Sequence, residues 1–169
     1  MTFWFLGICN AINLLDGLDG LAVTVALILL GGLWYFSVNS SLPLFLFLLM
    51  LTLIPFLFFN LHPAKMFMGS AGSLFLGYVL AIVPIYSVTN ITFFDFVEFD
   101  FSFFILLYFY IIFDTCRVLL YRVLNKKNPF LPDQNHLHHI LARRMGVVPA
   151  VSIICVINIW YCILFIMCC

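Results

Sequence analysis

Long apolar runs separated by short polar segments dominate the chain. Four runs approach or reach the roughly 20 apolar residues that a transmembrane helix needs: 21–38, 42–59, 101–120 and 150–169. A fifth run, 73–89, is shorter and contains Pro84, which membrane helices tolerate. The apolar segment 2–15 is too short to span and predicts an N-terminal helical stub. The pattern predicts an all-α fold, a polytopic transmembrane helix bundle with about five full spans plus this stub.

Composition favours a membrane protein and disfavours a nucleic-acid partner. The sequence is 66% hydrophobic and only 8% charged, whereas soluble domains are about 25% charged. Its seven Lys and Arg residues are too few and too scattered for a basic nucleic-acid patch. We therefore predict that residues 1–169 form a single integral membrane domain.

The positive charges predict the orientation of the bundle. If successive helices alternate in direction, segments 39–41 and 90–100 lie on one side and contain no Lys or Arg. The opposite side contains segments 16–20, 62–72 and 121–148. All seven cations lie in these segments or at the adjoining end of a helix. Because positively charged segments face the cytoplasm, we expect this second side to be cytoplasmic.

The first polar cluster interrupts apolar sequence with Asn10, Asn13, Asp16 and Asp19. A spacing of three residues places these side chains near one stripe of a helix, at the inner edge of the membrane. Two carboxylates and an amide on one stripe suit a divalent cation or a general base. The alternative is that the two Asp-Gly pairs are turn and cap residues.

The second cluster combines Lys65 with a small-residue run that includes Gly69, Ser70, Gly72 and Ser73. The run opens the next predicted helix, and backbone N–H groups bared by glycine at a helix N-terminus bind phosphate. The alternative is a tight turn in which Ser73 caps the helix.

The third cluster lies in the predicted cytoplasmic loop 121–148 and comprises Asp133, His136, His138 and His139. His136 and His139 would share a helical face and His138 would point elsewhere, so a three-histidine metal site is strained. Binding a diphosphate suits the cluster better, because imidazolium donates hydrogen bonds and carries charge near neutral pH. The alternative is a solvated loop.

Two further residues, Asp114 and Arg117, are three apart at the inner end of their predicted helix. That spacing is typical of a local ion pair. Together the three clusters suit an enzyme that joins a water-soluble, phosphate-bearing donor to a lipid acceptor. A transporter is disfavoured, because transporter sites lie near the middle of the membrane.

The three clusters carry a resemblance to a known family. NAINLLDGLDGLA at 10–22, HPAKMFMGSAGSLFLG at 62–77 and NPFLPDQNHLHHIL at 128–141 resemble, in order and spacing, motifs of the polyprenyl-phosphate N-acetylhexosamine-1-phosphate transferases. This superfamily includes the phospho-N-acetylmuramoyl-pentapeptide transferase and the undecaprenyl-phosphate N-acetylglucosamine-1-phosphate transferases. The HLHH form is more similar to the second branch.

The resemblance implies a multi-pass enzyme of the bacterial inner (cytoplasmic) membrane with its site facing the cytoplasm. Family members transfer a sugar-1-phosphate from a UDP-sugar to undecaprenyl phosphate and release UMP, which initiates a cell-envelope polysaccharide. They use Mg²⁺, with Mn²⁺ as an alternative ion, to bridge phosphates and neutralise developing charge. The expected partners are therefore a UDP-sugar, undecaprenyl phosphate and the lipid bilayer.

The resemblance also assigns roles to residues. It places Asp16 and Asp19 in the catalytic aspartate motif and makes Asn13 a magnesium ligand through its amide oxygen, with Ser70 at a degenerate metal position. The remaining residues are assigned to substrate binding: Asn10, Lys65, Gly69, Gly72, Ser73, His136, His138 and His139.

Departures from the family pattern leave a second interpretation open. The family's glycine-rich motif has an aspartate magnesium ligand where this chain has Ser70, and a hydroxyl brings no charge. Relatives have a basic residue where this chain has Gln134. The resemblance covers the C-terminal half of a family member, so we expect the Asp-Asp pair that relatives carry upstream to lie outside it. The alternative is a catalytically inactive fragment or binding subunit; self-association or an N-terminal half would complete the site.

Overall fold

Eight helices form the secondary structure of the parts of the chain that the computed structural model describes, residues 2–37, 42–89, 102–126 and 135–168. Those ranges contain no strand. The helices are α1 (Thr2–Leu15), α2 (Leu21–Phe36), α3 (Pro43–Asn60), α4 (Gly69–Thr89), α5 (Ser102–Leu107), α6 (Phe109–Leu124), α7 (Leu137–Met145) and α8 (Val147–Cys168). The all-α helix bundle predicted from hydropathy is confirmed.

The apolar runs correspond to these helices with two differences. Three helices in the described ranges are long and apolar enough to cross a membrane: Pro43–Asn60, Gly69–Ser87 and Val147–Met167. The predicted span 101–120 is divided between α5 and α6 at Tyr108. The Tyr108 N–H donates to the Phe104 carbonyl and its own carbonyl accepts from the Ile112 N–H, both at 3.0 Å, so helical hydrogen bonding continues across the junction.

The second difference lies in the predicted cytoplasmic loop 121–148. Its described part contains the end of α6, all of α7 and the start of α8. Asp133 and Gln134 lie outside the described residues, as do the predicted external segments 39–41 and 90–100.

Helices α1 and α4 pack closely along their length. A Cβ atom on Gly77 would lie 2.7 Å from the Cys9 Cα atom, so the two backbones nearly touch. The Trp4 indole N–H donates to the Ala81 carbonyl at 2.8 Å. Since α1 carries the first polar cluster and α4 begins at the second, this packing holds the two clusters together.

The hydrophobic core centres on α2, whose neighbours are α3, α4 and α8. Leu29, Leu30 and Leu33 of α2 are fully buried, and Phe104 and Phe165 join them from α5 and α8. By contrast α3 exposes most of its apolar side chains. An apolar exposed face is what lipid contact requires of a helix at the edge of a membrane bundle.

Candidate functional site

The two aspartates lie in the turn between α1 and α2. Helix α1 ends one residue before Asp16, and Gly20 adopts a left-handed conformation with φ of 75° at the start of α2. The prediction that Asn10, Asn13, Asp16 and Asp19 share one helical stripe is therefore wrong for the aspartates. Glycine accepts a positive φ without strain, so the Asp-Gly pairs end one helix and begin the next, as the turn interpretation predicted.

Asp19 joins this turn to the segment that precedes α4. Its Oδ2 atom accepts a hydrogen bond from His62 Nδ1 at 2.8 Å and from the Ala64 backbone N–H at 3.1 Å. The hydrogen bond from His62 lowers the pKa of the Asp19 carboxyl. Asp19 is therefore ionised at neutral pH and anchored to the second cluster.

Asn60, which the sequence analysis did not select, forms a second link at the same place. Its Oδ1 atom accepts from the Gly20 N–H at 3.2 Å, and its Nδ2 group donates to the Met66 carbonyl at 2.8 Å. The side chain is buried at the end of α3. A polar residue ending a long apolar helix was the only signal that could have identified it.

Ser73 connects α4 directly to α1. Its hydroxyl donates to the Asn13 Oδ1 atom at 2.7 Å. Because α4 begins at Gly69, Ser73 lies inside the helix and the prediction that it caps the helix is wrong. Gly69 has a φ of 68°, and the Met68 side chain covers the position that a Cβ atom on Gly72 would occupy. The glycines thus permit the tight entry into α4.

The third cluster is held by α6. Asp114 Oδ2 accepts from His136 Nδ1 at 2.9 Å, and Asp114 Oδ1 accepts from the Leu137 N–H at 3.0 Å. Arg117 donates to Asp114 and to the Asn135 carbonyl. The pair predicted from sequence exists, but it is more than a local pair because it fixes the start of α7.

His138 and His139 meet the aspartate turn at Gly17. A Cβ atom on Gly17 would lie 3.1 Å from the Nε2 atom of His139 and 3.5 Å from that of His138. The two imidazole rings are 4.3 Å apart between centroids. The prediction that His138 points away from the other histidines is therefore wrong: α7 begins after His136, which leaves His138 and His139 against the turn.

The protonation of these histidines differs from the expected imidazolium. Burial, with His139 and His136 nearby, lowers the pKa of His138 to about 3. Burial also lowers the pKa of His139, with His136 and Arg143 contributing. Both rings are neutral at pH 7, so each offers one N–H donor and one acceptor rather than a positive charge.

The other predicted site residues make fewer contacts, although the Gly69 and Ser70 carbonyls accept from the Ser73 hydroxyl at 3.2 Å and 3.3 Å. Burial raises the pKa of Asp16, whose carboxylate has no hydrogen-bond partner among the described residues. Asn10, Lys65, Gly69 and Ser70 are exposed. The structure thus places Asn13 against Ser73, Asp19 against His62, and the two histidines against Gly17, all in the last turn of α1 or in the turn that follows it.

The sequence has clear relatives among known proteins. Residues 1–88 match the family described as Glycosyl transferase family 4. A probable undecaprenyl-phosphate N-acetylglucosaminyl 1-phosphate transferase of Bacillus subtilis is 40% identical over 144 residues, covering 83% of this chain and 39% of the relative. The undecaprenyl-phosphate alpha-N-acetylglucosaminyl 1-phosphate transferase of Thermotoga maritima is 36% identical over 145 residues, 86% of this chain and 43% of the relative.

A second group of relatives matches over a shorter stretch. The phospho-N-acetylmuramoyl-pentapeptide-transferase of Staphylococcus saprophyticus is 44% identical over 88 residues, 50% of this chain and 27% of the relative. The chain spans about two-fifths of the length of the first two relatives. It belongs to glycosyl transferase family 4, within the polyprenyl-phosphate N-acetylhexosamine-1-phosphate transferase superfamily.

Proposed function

We propose that this chain contributes a cytoplasm-facing part of an active site that transfers N-acetylhexosamine-1-phosphate from a UDP-sugar to undecaprenyl phosphate, releasing UMP. The observation that carries the proposal is that all three clusters contact the last turn of α1 or the α1–α2 turn that follows it. Ser73 bonds to Asn13, His62 bonds to Asp19, and His139 packs against Gly17. The names of two relatives, which specify undecaprenyl phosphate and N-acetylglucosaminyl 1-phosphate, support the choice of acceptor and transferred group.

The donor set at this junction fits a magnesium ion. Asn13 offers an amide oxygen and Asp16 a carboxylate that no described residue engages, while Ser70 adds an exposed hydroxyl. Magnesium keeps several waters and is held by one or two carboxylates together with substrate phosphates. When bound, it would supply positive charge to the phosphates. Asn13, Asp16 and Ser70 are the residues we assign to it.

The chain's own groups divide the remaining tasks. The neutral His139, with His138 packed beside it, would hydrogen-bond the nucleotide or its diphosphate without adding charge. The exposed Lys65 would add one positive charge near the phosphates. Asp19, held by His62, fixes the turn.

The test is transfer of labelled GlcNAc-1-phosphate from UDP-GlcNAc to undecaprenyl phosphate in membranes that contain this chain, with Mg²⁺ and with EDTA. We expect magnesium-dependent lipid product that is lost in Asp16→Asn and retained in the matched variant Asn125→Asp, an exposed position at the end of α6. No product from a chain shown to be folded in the membrane would contradict turnover by this polypeptide.

One observation favours a second function, binding without turnover. The metal position in the first turn of α4 is occupied by Ser70, whose hydroxyl brings no charge. A non-catalytic homologue would bind UDP-GlcNAc or a polyprenyl phosphate and hold it for another protein. Saturable UDP-GlcNAc binding that persists in EDTA, with no lipid product, would select this function over the transferase.

A further inference from the structure

Asp114 is a buried carboxylate in the first half of α6, and both of its oxygens accept hydrogen bonds. Oδ1 accepts from Arg117 at 2.8 Å and from the Leu137 N–H at 3.0 Å, and Oδ2 accepts from His136 at 2.9 Å. A buried charge is costly unless it is paired and hydrogen-bonded, and here it is both. One side chain therefore ties α6 to the start of α7.

Arg117 completes the connection from the next turn of the same helix. Its Nη2 group donates to Asp114 and to the backbone carbonyl of Asn135. The Asp114–Arg117 pair thus holds the backbone on both sides of His136, at residues 135 and 137. We call this arrangement the α6 latch.

The latch determines which way His136 faces. An ionised carboxylate can only accept a hydrogen bond, so the proton of the Asp114–His136 bond lies on His136 Nδ1. His136 is only 4% exposed. The hydrogen bond to Asp114 holds the His136 ring against α6, so His136 has a different role from the two histidines that follow.

His138 and His139 differ from His136 in their surroundings. His138 is fully buried, yet neither of its ring nitrogens has a hydrogen-bond partner among the described residues. Its Nε2 atom and that of His139 both approach Gly17. Both ring nitrogens of His138 are enclosed, whereas His139 is only partly buried, so His139 is the ring that a ligand at the exposed Gly17 turn would meet.

We propose that the α6 latch makes His136 a positioning residue and presents His139, with the buried His138 packed beside it, to the nucleotide-sugar at the Gly17 turn. The identity of the ligand in this proposal rests on the proposed function, whereas the geometry of the latch does not. This assignment removes His136 from the substrate-binding residues expected from sequence and adds Asp114 and Arg117 as residues that act through it.

The same residues could instead be considered as a metal site. One ligand atom each from Asp114, His136 and His138 lie within 4.8 Å of one another. However, a metal ion there would replace the hydrogen bonds that Asp114 already accepts and would sit beside the Arg117 guanidinium. The hydrogen-bonded latch satisfies the carboxylate without either cost, so zinc binding becomes an outcome that the test must detect.

The experiment measures the modification rate of each histidine by diethyl pyrocarbonate and mass spectrometry, on the full chain in detergent. His136 should react more than about tenfold more slowly than the exposed His62, because reaction requires local opening. In Asp114→Asn the His136 rate should rise towards that of His62. Cys116→Ser, an exposed position between the latch residues, is the matched control and should leave all rates unchanged.

Addition of UDP-GlcNAc then tests the presentation of the other histidines. It should slow modification of His139 but not of His136 in the wild type, and the concentration needed should rise about tenfold in Asp114→Asn, as expected for loss of a hydrogen bond to a charged group. If Asp114→Asn does not fold, His136→Asn, whose amide can still donate to Asp114, should retain the protection and His136→Ala should lose it.

Three results separate the possibilities. Protection of His136 by UDP-GlcNAc in the wild type would make it a substrate ligand and overturn the latch assignment. Joint protection of His136 and His138 by zinc alone would overturn it in favour of a metal site. If UDP-GlcNAc protects no histidine but Asp114→Asn still exposes His136, the latch is supported and the proposed nucleotide role fails.

Discussion

The Ser73 hydroxyl donates a 2.7 Å hydrogen bond to the amide oxygen of Asn13, across 60 residues of sequence. Asn13 lies in the last turn of α1, and Ser73 lies one turn into α4. The bond therefore orients the amide that we assign to magnesium. It also connects the first polar cluster to the second. Removal of this bond should therefore reduce both the folding stability and the affinity for magnesium.

Ser73→Ala should destabilise the folded chain by about 1–2 kcal/mol, because it deletes the donor and leaves the Asn13 oxygen without its partner. Thermal unfolding of the purified chain in detergent measures this change. Ser70→Ala, at an exposed position in the same helix, is the control and should leave stability nearly unchanged. Equal effects of the two substitutions would show that the Asn13–Ser73 bond contributes nothing measurable.

Ser70→Asp should strengthen magnesium binding by about tenfold, because it adds a carboxylate to a site otherwise limited to Asp16 and neutral oxygens. The measurement is the magnesium concentration that raises the unfolding temperature half-maximally. Ala71→Asp adds the same charge at the next exposed position and controls for general electrostatic attraction. If both variants gain equally, Ser70 does not occupy the metal position.

The helices were predictable because membrane burial leaves a continuous signal in the sequence. The run 42–59 became α3 and the run 150–169 became α8 with shifts of one to three residues at the ends described. The division at Tyr108 was not predictable, because the apolar run continues through it without a polar residue or a proline; the buried Tyr108 hydroxyl donates there to the Leu80 carbonyl of α4 at 2.6 Å.

The sequence proposed members for the candidate site but did not predict their contacts. Motif spacing selected Asn13, Asp19 and His139, but it could not show that Asp19 pairs with His62 or that His139 meets Gly17. These contacts depend on how α1, α4 and α7 pack. Asn60 was missed because it is a polar residue that ends an apolar helix, a pattern with many structural causes. The full role of Asp114 was missed because its spacing from Arg117 predicts only a local pair, whereas its bonds to His136 and Leu137 depend on how α7 packs.

Asn60→Leu should cost about 2–4 kcal/mol of folding free energy, because it leaves the Gly20 N–H and the Met66 carbonyl without partners in a buried location. Asn60→Asp keeps the acceptor for the Gly20 N–H. Near pH 5 it should therefore cost less folding free energy than Asn60→Leu. Urea unfolding followed by tryptophan fluorescence measures both. An Asn60→Leu protein as stable as the wild type would mean that Asn60 does not stabilise the junction.

Stability should fall as the pH drops below the ordinary histidine range. Burial lowers the pKa of His138 to about 3 in the folded chain, against 6.5 for an unperturbed histidine. Between these values the unfolded chain binds more protons, so acid favours unfolding, by at most about 1.4 kcal/mol per pH unit. From pH 6.5 to pH 5 the wild type should therefore lose about 1–2 kcal/mol more than His138→Leu. Parallel losses in the two proteins would contradict a buried, neutral His138.

Gly77→Ala should loosen the α1–α4 interface that supports the whole site. The new Cβ atom would lie 2.7 Å from the Cys9 Cα atom and 3.2 Å from the Cys9 carbonyl oxygen, and two backbones cannot yield as a flexible side chain does. We expect a loss of about 1–3 kcal/mol and weaker magnesium binding, because Asn13 and Ser73 span the same interface.

Gly7→Ala, on α1, is the matched control for Gly77→Ala. Nothing lies within 4 Å of its added Cβ atom, and alanine favours a helix over glycine by up to about 1 kcal/mol. In thermal unfolding with and without Mg²⁺, Gly77→Ala should therefore lower the unfolding temperature and Gly7→Ala should raise it. If Gly77→Ala were as stable as Gly7→Ala and bound magnesium equally well, the close approach of the helices would not be what positions Asn13 against Ser73.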